Sequence, residues 1–471
     1  MFNPPAPYDP TDTKGFSYQT VVHRWPVIIT GVLDRLHRLS HDIIISDGPE
    51  EGESKVKVDE AKDIIAKISR LKYEMGRDHV LDPIPDDGEP FDRYNAELQR
   101  LADNSKNTWF TAPWLFAECY LYRLLRSYFL QTTQWSQFDP FSFQKQETFQ
   151  QSGRAIAQIA KSMHEVDIEH QTVEADTSKL AILFAEMIQM CLWGNATDLS
   201  LLTHLSSADI EHLQTVGKDA QDARREFILR DDQAKVWQHI SGVLNGQVDF
   251  VLDNELSNSL QLYTDLVFAD FLVTHTPYVS RVVFHPKLIP WFVSDVTPSD
   301  FASTLTSLLD PTFLSLSEED QGYVNIMVNR WKGYIDTNVF SLSVPHSTPL
   351  GGGSDSNTTE LAGFWTEAAP YWEMETLAPR LWQTLKTSNL VIFKGDLNYR
   401  KLTGDVQWEA WTDFSVALGN LSGSFPILSL RTNKADVVVG VPREVAEKLD
   451  ASGSKWRVDG RYALISFLPA A

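Results

Sequence analysis

The pattern of apolar residues changes once along the 471-residue chain, close to Gly246. Over residues 18–240, apolar side chains recur every three or four positions, which indicates amphipathic helices. After Gly246, short apolar runs alternate with helical stretches, and this alternation favours a mostly parallel sheet covered by helices on both faces. The sequence therefore predicts an α/β protein with two domains. Residues 1–240 would form a helical domain, and residues 241–471 would form an α/β domain that carries the functional site.

Strands of the second half are predicted from its short apolar runs. These runs lie at residues 248–252, 281–284, 291–293, 389–393, 427–430, 437–439 and 462–467. Residues 219–244, which are rich in charge, are predicted to form one long helix that bridges the two halves.

The charge of the chain limits its partners. Its 41 Lys and Arg residues face 63 Asp and Glu residues, and the net charge of −22 argues against a general nucleic-acid or anionic-membrane binder. No apolar run approaches the roughly 20 residues that a spanning helix needs, and the first residues lack a signal-peptide pattern. Cys119 and Cys191 each lie in an apolar helical pattern and are expected in the core. We therefore expect a cytoplasmic protein, with the nucleus as a second compartment, that has no obligate protein partner.

Polar residues follow four of the predicted strands. They are Asp253 with Asn254, Asp295, the cluster 394–401, and the segment 431–434. In a parallel sheet these strand ends lie along one edge, where ligands bind. The oxygen donors of the first two groups suit Mg²⁺ or Mn²⁺. Lys394, Arg400 and Lys434 supply the positive charge that suits a phosphate. The alternative is that the acids cap helices and the cations are surface charges.

Glu118 is a single carboxylate in an aromatic stretch at the start of the helix predicted over residues 109–129. An acid in such surroundings needs a partner or a raised pKa. One interpretation is a structural ion pair with Arg123 or Arg126. The other is that Glu118 lines a site against the second domain.

Five long motifs resemble one protein family. They are FKGDLNYRKLTGD (393–405), LRTNKADV (430–437), WFTAPWLFAECY (109–120), LWGNATDLS (192–200) and PWFVSD (290–295). Together they resemble the DUF89 family, and within it the subgroup with an Arg-Thr-x-Lys motif, the ARMT1-like damage-control phosphatases, also called acidic residue methyltransferase 1 relatives.

The resemblance implies a helical N-terminal domain and a Rossmann-like α/β/α C-terminal domain. It also implies a metal-dependent phosphatase that hydrolyses small sugar phosphates such as fructose 1-phosphate and fructose 6-phosphate, with Mn²⁺, Co²⁺ or Ni²⁺ as the preferred metal. Asp253, Asn254 and Asp295 match the family's metal-binding and catalytic positions, and the first two also match substrate contacts. The other residues that match substrate-binding or motif positions are Glu118, Lys394, Asp396, Leu397, Asn398, Tyr399, Arg400 and Lys434. Either water or Asp253 would be the nucleophile.

One departure from the family pattern affects the alternative function, S-adenosylmethionine-dependent methylation of protein carboxyl groups. Family members usually read Asp-Asn-x-Gly-Phe-Glu at the first site. This chain carries a short insertion after Asn254 and has Gln261 where the acidic residue is expected, which weakens any S-adenosylmethionine contact tied to that acid. The chain also has no Gly-x-Gly-x-x-Gly motif after a strand. A third alternative is a binding module that has lost catalysis.

Overall fold

The computed structural model describes residues 2–47, 52–170, 177–193, 225–253, 260–353 and 356–471. Its first part is helical, and a π-helical turn (Thr20–Arg24) joins the first two helices. The helices are α1 (Phe16–Gln19), α2 (Trp25–Asp47), α3 (Glu53–Gly76), α4 (Asp92–Asp103), α5 (Trp114–Leu130), α6 (Ser142–Gln151), α7 (Gly153–His170) and α8 (Thr177–Trp193). In α3 the buried side chains recur every three or four residues, from Val58 to Met75, so one face of the helix packs inward. The predicted helical character of this part is confirmed.

One sheet of seven strands lies within the described residues that follow. The strands are β1 (Ile228–Asp231), β2 (Gly246–Val251), β3 (Val279–His285), β4 (Phe340–Leu342), β5 (Leu390–Lys394), β6 (Ile427–Thr432) and β7 (Ala463–Leu468). Their order is β1-β7-β6-β5-β2-β3-β4. Neighbouring strands are parallel except β6 and β7, which are antiparallel. The predicted α/β fold with a mostly parallel sheet is confirmed.

Helices cover both faces of this sheet. They are α9 (Gln233–Ile240), α10 (Gln261–His275), α11 (Pro298–Leu309), α12 (Glu318–Asp336), α13 (Ser356–Ala362), α14 (Met374–Leu377), α15 (Pro379–Leu385), α16 (Gly395–Thr403), α17 (Phe414–Ala417) and α18 (Arg443–Ala451), with 3₁₀ turns at Gly363–Thr366, Tyr371–Glu373 and Gly419–Leu421. Successive residues of β5 point to opposite faces, so Ile392 joins a core with α8 and α10, while Val391 and Phe393 join one with α15 and α16. The two cores make the sheet the middle layer of three.

The long helix predicted for residues 219–244 is wrong over its described part. Residues 228–231 form β1, which pairs in parallel with β7, and α9 begins only at Gln233. Pairing with a distant strand, which local periodicity does not report, overrides the helical pattern here. The domain boundary predicted between residues 240 and 241 stays a prediction, although β1 precedes it in the chain and belongs to the sheet.

Two other predicted strands are also wrong. Residues 291–293 form a turn in which Phe292 and Val293 have φ angles of 45° and 70°, left-handed values that no strand uses. Residues 437–439 are buried but unpaired with any strand, and the Val439 N–H donates to the Tyr399 hydroxyl (2.9 Å). Both apolar runs arise from burial in loops.

The helical part packs against the edge of the sheet at which the parallel strands end. Its core contains Ile289, Trp291 and Val293 from the segment after β3, Leu397 from α16, and Ala435 from the segment after β6. No described helix is both long and apolar enough to cross a membrane. The predicted functional residues therefore lie where the helical part meets the strand ends.

Candidate active site

Short connections bring the predicted residues to this edge. Asp253 lies two residues after the end of β2, and α16 begins directly after β5 at Gly395. Asp295 reaches the same region by a different path from the one predicted, because the segment 286–295 that follows β3 contains a turn in place of a strand. Asn254 lies outside the described residues.

Asp253 and Asp295 form a buried pair of carboxyl groups. They are 4% and 0% exposed, and Oδ2 of Asp253 and both carboxyl oxygens of Asp295 accept no hydrogen bond within the described part of the chain. Burial, and then the charge of Asp253, raises the pKa of Asp295 well above its ordinary range. Buried oxygens without donors are costly, and a divalent cation with hard oxygen ligands would satisfy them. The donor set therefore fits the predicted metal.

Among the described residues, no group of three or more His, Cys, Asp and Glu side chains could hold a metal ion. A site here therefore needs a ligand beyond the two carboxylates. The amide of Asn254 is the predicted third ligand and stays a prediction.

Gly395 holds Asp253 in place from the start of α16. Its φ is +78°, and a Cβ at this position would lie 2.3 Å from Oδ2 of Asp253. The backbone thus approaches the carboxylate more closely than any other residue type allows. The positive end of the α16 dipole also lies beside this acid.

Lys287 is a site residue that the sequence reasoning missed. It is 0% exposed, and its Nζ donates to Oδ1 of Asn398 at 3.0 Å. Burial lowers its pKa, and the charges of Asp295 and Asp253 oppose that shift. Lys287 follows β3 by two residues, as Asp253 follows β2, so the same strand-end reasoning would have found it.

Asn398 has all its hydrogen-bonding capacity in use. Oδ1 accepts from Lys287 and from the hydroxyl of Tyr371 (2.7 Å), and Nδ2 donates to the carbonyl oxygens of Val251 (3.1 Å) and Lys394 (2.7 Å). This residue therefore ties the ends of β2 and β5 to Lys287. Its predicted contact with substrate stays a prediction.

Two of the three predicted phosphate-binding cations already face carboxylates. Nζ of Lys394 lies 3.0 Å from Oδ1 of Asp265 on α10. Arg400 contacts Oε2 of Glu118 (2.7 Å) and Oδ2 of Asp405 (3.0 Å), with its guanidinium 3.8 Å from the Trp114 ring centre. Both cations are buried, so these pairs neutralise most of their charge locally.

The partner predicted for Glu118 is wrong. Arg123 pairs with Asp87, and Arg126 pairs with Glu89. Glu118 instead binds Arg400 on α16 and accepts a hydrogen bond from the indole of Trp25 (3.0 Å). Glu118 thus joins the helical part to α16 in the strand-end region, and the interpretation that it lines a site there stays a prediction.

The remaining predicted substrate residues surround this centre. Oδ1 of Asp396 accepts from Nε of Arg431 (2.8 Å) and from the backbone N–H of Lys434 (3.1 Å). Leu397 packs in the helical core, and the Tyr399 ring lies 4.2 Å below the Arg431 guanidinium. These contacts hold the Arg-Thr-x-Lys segment against α16.

Comparisons with known proteins identify the family to which the chain belongs. A family model described as the damage-control phosphatase ARMT1-like domain matches residues 20–449. The relatives named damage-control phosphatase ARMT1 include one from Danio rerio, 34% identical over 98% of this chain and 97% of its own length. Those from Bos taurus and Homo sapiens are each 31% identical, with 99% and 98% of both chains covered, respectively. The chain therefore belongs to the damage-control phosphatase ARMT1-like family, and it carries that subgroup's Arg-Thr-x-Lys motif at residues 431–434.

Proposed function

We propose that this protein is a metal-dependent phosphatase that hydrolyses small sugar phosphates of the fructose 1-phosphate and fructose 6-phosphate type. The observation that carries the proposal is the buried Asp253–Asp295 pair. Three of its oxygens have no hydrogen-bond partner among the described residues, and its charges act on the buried ammonium of Lys287. Adjacent negative and positive groups at a strand-end edge suit a cation and the phosphate that it binds.

Each residue has a distinct task in this proposal. Asp253 and Asp295, together with Asn254, would hold Mn²⁺, Co²⁺ or Ni²⁺, and Mg²⁺ fits the same donors. Bound there, a divalent cation would supply Lewis-acid polarisation of a phosphoryl oxygen. Lys394, Arg400 and Lys434 would contribute positive potential, and the segment 396–400 would bind the sugar phosphate. The surrounding aromatic core, which includes Trp291, would exclude bulk water.

A phosphate-release screen tests the proposal. Purified protein is incubated with a panel of sugar phosphates and Mn²⁺, Co²⁺, Ni²⁺ or Mg²⁺, and we expect turnover of at least one ketose phosphate. Asp253→Asn and Asp295→Asn should each abolish that turnover and weaken Mn²⁺ binding in calorimetry. Asp310→Asn is the matched control, because Asp310 lies in an exposed turn and its carboxylate accepts hydrogen bonds from its neighbour Thr312. An Asp253→Asn enzyme with wild-type turnover would refute the proposal.

A calorimetric titration with S-adenosylmethionine distinguishes the methyltransferase alternative from the phosphatase. Gln261, which occupies the position of the relatives' acid, is buried as the first residue of α10. No observation on the described residues favours S-adenosylmethionine as a ligand. Calorimetric binding of S-adenosylmethionine, together with methyl transfer to a protein carboxyl group and no phosphate release, would establish that alternative in place of the phosphatase.

A further inference from the structure

Resting on the proposed function, we propose that Lys287 is the residue that binds the phosphate group of the substrate and neutralises charge on its oxygens during hydrolysis. Lys394 and Arg400 remain paired with their carboxylates and act as structural charges. This role differs from that of the cations predicted from sequence, which are Lys394, Arg400 and Lys434.

The first observation is the difference in partners among the buried cations. Lys394 and Arg400 each have a carboxylate oxygen within 3.0 Å, and the fully buried Lys401 donates to the backbone carbonyls of Trp365 and Glu367. Within the described part of the chain, Nζ of Lys287 donates one hydrogen bond, to the neutral amide of Asn398. An ammonium has three donors, so two donors of this fully buried group have no hydrogen-bond acceptor among the described residues, and the centre of the Trp365 ring lies 5.7 Å from Nζ. A charge in that state needs an anion, and a phosphate supplies several oxygens.

The second observation is that the chain brings Lys287 and Asp295 to the same loop. The backbone N–H of Lys287 donates to the carbonyl of Val296 at 2.8 Å, which closes the loop between the two residues. Asp295 precedes Val296, so Asp295 and Lys287 lie at opposite ends of this loop, where the hydrogen bond brings the two backbone segments together. The charges of Asp295 and Asp253 also act on the ammonium of Lys287, and all three side chains are buried. A phosphate bound here would share its oxygens between a metal on the carboxylates and this ammonium.

The third observation is that Asn398 orients the side chain of Lys287. Since the amide nitrogen of Asn398 is committed to the carbonyls of Val251 and Lys394, its oxygen must face Lys287 and Tyr371. The side chain of Lys287 is thereby fixed before substrate arrives, which reduces the ordering that binding requires. In this scheme Asn398 is a positioning residue, and Lys287 is the residue that touches the phosphate.

The test measures phosphate and metal separately. Lys287→Met removes the charge and keeps the shape, and Lys287→Arg keeps the charge. Lys235→Met is the matched control, because Lys235 is exposed and pairs with Asp232. Inorganic phosphate is titrated calorimetrically into each Mn²⁺-loaded protein, and Mn²⁺ is titrated into each metal-free protein. Sugar-phosphate turnover supplies KM and kcat.

For Lys287→Met we expect the Kd of phosphate to rise about 10- to 100-fold, as is typical for a lost hydrogen bond to a charged group. Mn²⁺ should bind with unchanged or higher affinity, because a nearby positive charge is gone. The Tm should not fall, since Lys287 has no carboxylate partner to lose within the described ranges of the chain. Lys287→Arg should recover part of the phosphate affinity, and Lys235→Met should behave as wild type.

Two results would overturn the inference. One is wild-type phosphate affinity in Lys287→Met. The other is a joint loss of Mn²⁺ binding and Tm in Lys287→Met, which would identify a structural residue. If the wild-type protein releases phosphate from no ester, the proposed function fails by itself, and the phosphate titrations still decide whether Lys287 binds this anion.

Discussion

The closeness of Gly395 to Asp253 leads to a quantitative prediction for Gly395→Ala. The new Cβ would lie 2.3 Å from Oδ2 and 2.6 Å from Cγ of Asp253, whereas ordinary contact begins at 3.4 Å. The carboxylate or the start of α16 must therefore move by about 1 Å, the difference between those distances. Because Asp253 is a proposed metal ligand, that movement should damage Mn²⁺ binding as well as stability.

The expected loss of stability has two parts. A left-handed φ of +78° costs a non-glycine residue about 1–2 kcal/mol. Forcing a buried neighbour to move costs about 1–3 kcal/mol more. The free energy of unfolding of Gly395→Ala should thus fall by about 2–5 kcal/mol in urea denaturation without metal.

Alanine substitutions at two other glycines distinguish the cost of backbone strain from the cost of the steric clash. Gly453 has a φ of +71° with nothing within 4 Å of its Cβ position, so Gly453→Ala measures backbone strain alone. Gly404 has a φ of +74° and its Cβ would collide with the ring of Trp372, so Gly404→Ala adds a steric clash that involves neither proposed carboxylate ligand. Only Gly395→Ala should combine a loss of stability with a loss of Mn²⁺ affinity.

Mn²⁺ binding is measured by how much the ion raises the free energy of unfolding. At a concentration 100 times the wild-type Kd, Mn²⁺ should stabilise the protein by about 2.7 kcal/mol, and a site weakened 100-fold would retain about 0.4 kcal/mol. Wild-type stabilisation by Mn²⁺ in Gly395→Ala would refute the role of Gly395 as the support of Asp253. Equal stability losses in Gly395→Ala and Gly453→Ala would refute the clash itself.

Three further predictions concern buried polar groups. Glu118→Gln should lower the free energy of unfolding by about 2 kcal/mol in urea, because Arg400 loses one charged partner and keeps Asp405; no change would contradict this. Burial, then the nearby Asp405, raises the pKa of Asp436 to about 6, so the folded wild type loses stability as pH rises from about 4 through 6. Asp436→Asn should therefore be the more stable protein at pH 7, with no difference below pH 4, and parallel stability curves would disprove the assignment. Cys119 and Cys191 are fully buried, and burial raises the pKa of Cys119 to about 12, so a thiol reagent should label neither before unfolding.

The sequence predicted the centre of the sheet well. The runs at residues 389–393, 427–430 and 462–467 match β5, β6 and β7 closely, because central strands with two buried faces are almost continuously apolar. The same signal predicted strands at residues 291–293 and 437–439, where buried loops are equally apolar. Apolar runs report burial, and they do not report whether the backbone pairs with another strand.

The sequence by itself also determined which polar residues follow the strands, and so where along the chain the candidate site lies. Only the tertiary structure decided their partners: Glu118 with Arg400 in place of Arg123 or Arg126, and Lys394 with Asp265. It likewise brought Lys287 to Asn398, across more than a hundred residues of chain. Charge pairing depends on distance in space, which the packing of the helical part on the strand ends sets. Spacing along the chain predicts such distances only within one helix turn or one hairpin.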